Sequence, residues 1–549
     1  MSLYPRREET VASNGMVATK HPLAAEAGVQ MLKRGGNAVD AAVATGFALG
    51  VVEPPMSGVG GICYVVIHLV DDDQTIALSG ATKAPIEARD DMYRLESEGF
   101  AGYYRKVVDD ENLYGYRSVV APTLVGSLCT ALENYGTKSL KEVLQPAIKY
   151  AEEGWRLSAH DIATIASEMS TIANFPETAK TLLINNLPPK VSDLLVQKDL
   201  AKTLRTIANE GPEAFYSGSI AKAIISDVEE NGGMLTEKDF ANASKPTIYE
   251  PGHGCYRGHD VHFMPRDCGG PTVMEILNIL EGYNLGALGH STPKYIHLLA
   301  EVFNIAYADF HEYVGDPEFI DFPMKGLTSK DYANVVRDRI DPDRAVMEFK
   351  ASDPWSFQGG CTTHQSTVDR DWNMVSWTQT LGSAYGSKVV ARDTGVILNN
   401  QMFGFNPEPG HANSIAPGKT RVGHTAPTLM MKNGLPYLTV GAPGGTKIIT
   451  CIPQIITNII DFDKGVQGAM EAPRVDAGST YGSEEVVILD SRIGEKVRRA
   501  LERMGHKVDI VDERIRSHFA RPVGILINHE TEKLHGGVDP FRPGLALGF

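Results

Sequence analysis

At 549 residues the chain is longer than one typical hydrophobic core supports, and its 42% hydrophobic and 22% charged residues, free of any low-complexity block, are those of a folded globular protein. A formal net charge of −16 with no basic stripe speaks against nucleic acid and anionic membranes as partners, since both would repel it at long range. Six scattered cysteines (Cys63, Cys129, Cys255, Cys268, Cys361, Cys451) contain no CxxC pair, which leads us to expect reduced thiols and a cytoplasmic protein.

The first residues carry charges with no apolar signal-peptide core behind them, and no stretch reaches ~18 uninterrupted apolar residues, so no membrane span is expected. Residues 23–34 and 38–50 have helical periodicity and are separated by Gly35-Gly36. After the turn at Pro54-Pro55-Met56-Ser57-Gly58, residues 62–70 and 75–79 read as a hairpin. Residues 123–231 read as mostly helical, with 139–153, 193–208 and 220–230 the clearest segments. A strand at 261–265 and helices at 271–283 and 293–310 follow, and then a polar, proline-rich stretch runs to Gly360, suited to a processed segment. Beyond it strands are expected at 363–369, 374–380, 395–398, 428–431 and 438–440, with a helix at 446–460 after Gly444-Gly445.

The stretch Cys361-Thr362-Thr363-His364-Gln365-Ser366-Thr367-Val368-Asp369 carries the most chemistry. Gly359-Gly360 leaves the backbone ahead of Thr362 deformable, so that a hydroxyl could attack its own preceding carbonyl while a strand holds it. On the residues alone, an ordinary threonine-rich strand is the plainer reading.

This stretch resembles the processing site of the γ-glutamyltranspeptidase family, whose small subunit begins with a Thr-Thr-His-x-Ser strand. The likeness continues in order along the chain. It runs through His21-Pro22-Leu23-Ala24, Gly35-Gly36-Asn37-Ala38-Val39-Asp40, Val52-Glu53-Pro54 and Ser57-Gly58-Val59-Gly60-Gly61. It resumes at Ala306-Tyr307-Ala308-Asp309 with Gly315-Asp316-Pro317, Leu398-Asn399-Asn400-Gln401-Met402 and Gly441-Ala442-Pro443-Gly444-Gly445. The resemblance implies an α/β, four-layer αββα sandwich of the N-terminal nucleophile hydrolase type. It would be built as one unit from a large piece, residues 1–361, and a small piece, 362–549. It further implies that Thr362 cleaves the Cys361-Thr362 bond and then acts as nucleophile, with its freed α-amine as base. Thr380 would orient it, and Gly444 and Gly445 would form the oxyanion site, a role suited to amides ahead of a helix.

The substrate-binding positions depart from the family's pattern. Where members that bind a γ-glutamyl group carry a carboxylate-clasping arginine, this chain has Ala81; the assisting Ser-Ser pair is Gly423-His424. The asparagine expected after the second threonine is Gly382, an acidic position is Gln401 and an aspartate is Gly404. Lys83 and Arg421 are alternative carboxylate contacts. These changes point to an amidohydrolase or acyltransferase acting on a small-molecule amide that is not an ordinary γ-glutamyl compound, through an acyl-enzyme on Thr362. A true γ-glutamyltransferase or glutathione hydrolase, and a non-catalytic scaffold, stay open as alternatives, as does the oligomeric state.

No cofactor or metal is expected. His253, Cys255, His259, His262 and Cys268 cluster in sequence but match no zinc-ligand spacing. Pro417-Gly418-Lys419-Thr420 lacks the upstream glycine of a phosphate loop, position 413 being Asn. The irregular residues 404–423 have the length of a lid or binding loop, and His411 within them reads as solvated.

Overall fold

A computed structural model describes residues 4–101, 104–346, 349–351, 364–479, 486–541 and 543–549. Two seven-stranded sheets dominate it. In one, the spatial order is Leu545–Gly548, Gly15–Thr19, Gln365–Asp369, Met374–Thr380, Ile62–Leu69, Gln74–Gly80 and Thr247–Tyr249. In the other it is Thr10–Ala12, Lys533–Val538, Val523–Asn528, Leu435–Gly441, Thr428–Lys432, His259–Phe263 and Gly252–Tyr256. All neighbouring pairs within these two sheets are antiparallel. Each sheet thus interleaves strands from before residue 361 with strands from after residue 364.

The sheets pack face to face through Met16, Val66, Val368 and Met374 on one side and Leu429, Met431, Ile525 and Leu534 on the other. Helices Pro22–Lys33 and Ala38–Val52 cover the outer face of the first sheet, and Gly270–Glu281 and Lys447–Ile460 that of the second. The order of layers is therefore helix, sheet, sheet, helix. The Ala38–Val52 helix is buried at all its positions. Its small side chains suit a helix walled in by the sheet and by Leu140–Glu153, and a reciprocal Asn37/Asp40 capping box starts it.

Three local expectations change. Residues 395–398 form only isolated bridges, Gly60 with Leu398 and Val390 with Ile397, rather than a strand. The segment beginning at 193 first pairs as a short strand, Leu194–Leu195, and turns helical only at Lys198–Glu210. The stretch after 310 contains two helices, Met324–Leu327 and Lys330–Arg337. Tertiary pairing overrides the weak local pattern in all three.

Candidate functional site

Cys361 and Thr362 lie outside the described residues, so the site is built from what surrounds their place in the sequence. Strand Gln365–Asp369 pairs with Met374–Thr380 in the register Gln365↔Trp377, and Thr380 ends its strand opposite Ile62. The Thr380 hydroxyl accepts a hydrogen bond from the Gly382 amide at 2.9 Å, which leaves its own O–H to donate elsewhere. His364 is buried, with Nε2 2.6 Å from Ser366 Oγ and Nδ1 3.3 Å from Ser376 Oγ. Its ring fills the space where a side chain on Gly441 would stand. His364, Gln365, Gln379 and Pro443 line one small cleft with Glu53 and Ser57. Residues of four of the motifs, at 52–54, 57–61, 361–369 and 441–445, therefore meet there.

Pro443 leads into Gly444 and Gly445, immediately ahead of helix Lys447–Ile460. Gly444 has φ +151°, and a Cβ on it would lie 2.5 Å from both Ala520 Cα and Cβ; Gly445 has φ +57° and open space around it. The Arg521 amide donates to the Pro443 carbonyl at 2.7 Å, and the Tyr307 hydroxyl donates to the Thr446 carbonyl. The turn is thereby clamped from two directions, and Tyr307 of the Ala306–Asp309 motif gains a structural role. Among the described residues no acceptor meets the amides of Gly444 or Gly445. Two free N–H groups at the start of a fourteen-residue helix suit a developing oxyanion.

The substrate-pocket positions fall into two groups. Ala81 follows Gly80, which pairs with Cys63, so it lies two strands from Thr380, roughly 10 Å at normal strand spacing. It lines a cavity of about 260 Å³ with Lys83, Arg266, Asp267, Asp316 and Thr420. Gly423 borders the same region, donating from its amide to the Asp267 carbonyl at 3.3 Å. Burial, with Asp316 and Glu318 adding to it, pushes Asp267 up to about 7 against the pull of Arg266 and Lys83. Lys83 is paired with Glu318 at 3.4 Å.

The other group is sterically closed. A Cβ on Gly382, at φ +110°, would collide with Asn400 Oδ1, and one on Gly404 would collide with Arg421 Nε. A Cβ on Gly423 would stand 2.6 Å from Arg421 Nη1. Arg421 thus occupies room that two absent side chains vacate. Gln401 is fully buried beside Gly382, with neither end of its side-chain amide hydrogen-bonded among the described residues. His424 packs on Phe310 with ring centroids 4.9 Å apart. Its pKa is held well below the ordinary value by desolvation first and then by Arg421, His311 and Lys447. Arg421 and Lys447 are thus both near enough to His424 to act on it electrostatically.

The sequence named Arg421 as a contact but gave no sign that it fills the places of residues 404 and 423. Arg266, Asp267 and Lys447 were missed, since none belongs to a motif. The histidines at 253 and 262 face each other across a β-hairpin, with His253 Nε2 3.2 Å from Asp260. His411 is exposed, and the segment carrying it is pinned through Asn413 Nδ2 to the Gly404 carbonyl at 2.8 Å.

Burial pushes both His311 and His364 down to about 3. An unfolded imidazole titrates near 6.5, so between there and pH 3 the unfolded chain binds protons that the folded chain refuses. The stability these groups contribute is complete above pH 6.5 and falls by about 1.4 kcal/mol per pH unit for each as the medium acidifies. Asp267, raised in the fold, acts in the opposite sense over its own window up to about 7. The His364→Gln variant is expected to show a slope of unfolding free energy against pH that is shallower by about one such increment between pH 4 and 6, read by denaturant titration.

Comparison with known proteins matches this arrangement. The sequence model of the family Gamma-glutamyltranspeptidase matches residues 24–549. The chain is 36% identical to the glutathione hydrolase proenzyme of Bacillus subtilis (strain 168), covering 99% of this chain and 92% of that protein. It is 38% identical to the Acylase ACY 1 proenzyme of Pseudomonas sp. (strain V22), covering 91% and 88%. The crystal structure of cephalosporin acylase from Bacillus halodurans superposes with a TM-score of 0.89 at 30% identity, covering 100% of this chain and 98% of that one. By sequence along nearly its whole length and by its paired sheets between helices, the protein is a member of the γ-glutamyltranspeptidase family with the N-terminal nucleophile hydrolase fold.

Proposed function

We propose that the chain is an autocatalytically processed amidohydrolase whose nucleophile is Thr362. The observation that carries this reading is the convergence of His364, Gln379 and Pro443 on one cleft, because each is within two residues of Thr362, Thr380 and Gly444 respectively. Strand Gln365–Asp369, which opens three residues after Thr362 in the sequence, pairs with the strand that Thr380 ends. In the proposed maturation, the Thr362 hydroxyl attacks the Cys361 carbonyl, the amide shifts to an ester, and water releases residues 1–361 with a new carboxylate. The freed α-amine, with a reference pKa of ~7.7–8.0, then takes the hydroxyl proton of the same residue as it attacks a substrate amide. The oxyanion sits at the Gly444 and Gly445 amides, the amine departs protonated, and water resolves the acyl ester. Intact mass before and after incubation with a pool of amides tests this: cleavage at Cys361-Thr362 and an acyl adduct on the small piece are expected, and cleavage at another bond overturns the assignment.

The acyl group we assign carries a carboxylate and no α-ammonium group. Arg421 fills the place of residue 404, where an ammonium would need an acceptor, and brings positive charge instead, while Asn400 Oδ1 beside Gly382 is already engaged by the Ser383 amide. Paired anilides that differ only in the α-amine, glutaryl and γ-glutamyl, decide the matter. The glutaryl compound is expected to be favoured, and Arg421→Gln to lower its kcat/KM by about 10- to 100-fold, the worth of a hydrogen bond to a charged group. Faster turnover of the γ-glutamyl anilide would establish a glutathione hydrolase or γ-glutamyltransferase instead.

A further inference from the structure

Outside the motifs used above, three side chains meet that could hold a metal ion. His297 and Glu301 stand four residues apart on helix Pro293–Tyr313, hence on one face of it, and His506 follows the helix Glu495–Met504. Their ligand atoms all lie within 4.8 Å of one another, and all three residues are buried. We propose that this trio is a binding site for a divalent transition metal, zinc above all, that ties the part of the chain before residue 361 to the part after it.

The backbone presets the ligands. Gly505 in the left-handed conformation (φ +104°) closes its helix with Gly505 N donating to Glu502 O and His506 N to Leu501 O, which fixes where the His506 ring starts. His297 Nε2 lies 2.7 Å from the Asp341 carbonyl. A carbonyl only accepts, so Nε2 carries the proton and the Nδ1 lone pair faces His506. A backbone carbonyl that fixes the tautomer of a ligand histidine is the usual outer support of a zinc site. Two imidazoles and one carboxylate leave a fourth position for water, the donor set and count that suit zinc.

Without metal, His506 Nε2 donates to His297 Nδ1 at 2.7 Å. Nitrogens each ~2.0–2.1 Å from a tetrahedral zinc stand about 3.3 Å apart, so metal entry replaces this hydrogen bond, moves the His506 proton to Nδ1 and opens the rings by about 0.6 Å. The same ligands reach the segment that runs toward the processing site. Val346 N donates toward Glu301 at 3.3 Å, Asp341 receives His297, and the Ala345 amide donates to Met504 O at 2.8 Å. Metal would therefore fasten that segment as well as both parts of the chain.

The test uses the full-length, tag-free protein, chelator-treated and then equilibrated with Zn²⁺ or Co²⁺. About one equivalent retained after gel filtration, a visible ligand-field band of tetrahedral Co²⁺, and a metal-dependent rise in Tm are expected. His506→Gln keeps a donor toward His297 and should fold alike without metal, yet lose the band and the Tm rise; His297→Gln should do the same. Retention below a tenth of an equivalent, or a band unchanged in either variant of native melting behaviour, overturns the site. The readouts are independent of amidase activity, so failure here leaves the proposed function untouched.

Discussion

Thr362→Ala is expected to give a single uncut chain of 59.6 kDa and to abolish amide turnover. The two losses share a cause. The hydroxyl that would attack the Cys361 carbonyl is the one that would later attack substrate, and alanine offers no nucleophile for either. Where nucleophile and base act as a unit, removing one costs about as much as removing both, which in comparable hydrolases amounts to roughly six orders of magnitude in kcat. Here both roles fall on one residue, so no partner can compensate. Denaturing gels and turnover of the glutaryl anilide read the result together. Thr362→Ser, which retains the hydroxyl and the α-amine, should still be cut, if more slowly. A processed Thr362→Ala chain would remove Thr362 from the mechanism.

Gly444→Ala should lower kcat by about 10²- to 10³-fold, the usual cost of losing one oxyanion donor, while Gly445→Ala should be milder. The structure separates the two. A methyl on Gly444 runs into the Ala520 backbone, which is held by the Arg521-to-Pro443 hydrogen bond and cannot give way as a side-chain tip would. The turn must move, and its amides move with it. At Gly445 nothing stands within 4 Å, so alanine meets only the strain of a positive φ, on the order of 1 kcal/mol. Because the interaction is made in the transition state, kcat and kcat/KM should fall together in Gly444→Ala with KM nearly unchanged. Equal effects of the two substitutions would argue against this placement of the oxyanion.

Much of the layered fold was legible because punctuation and period agree. Gly35-Gly36 separates two helices, the Asp71-Asp72-Asp73 turn joins two β-branched runs, and Gly444-Gly445 precedes a helix whose apolar face packs on the second sheet. The strand expected at 395–398 failed because three apolar residues after a glycine carry no information on whether a partner strand is near. The proposed machinery rests on motifs, since Gly-Gly before a helix and a threonine at a strand end have local meanings. The pocket was not. That Asn400 fills the place beside Gly382, and Arg421 that beside Gly404, depends on how segments far apart in sequence cross, and an empty position in the sequence does not say what occupies the emptied volume.

The interleaving of strands sets a direction in time. While the chain is whole, its halves search for each other at the high effective concentration of a tether. With the bond before Thr362 cut as proposed, each sheet would consist of strands from two molecules, and denaturation would release both into solution. Reassembly would then be second order, in competition with aggregation of the exposed strands. The mature enzyme would thus owe its persistence to a slow rate of escape, and only the uncut precursor would keep the ability to return from the unfolded state.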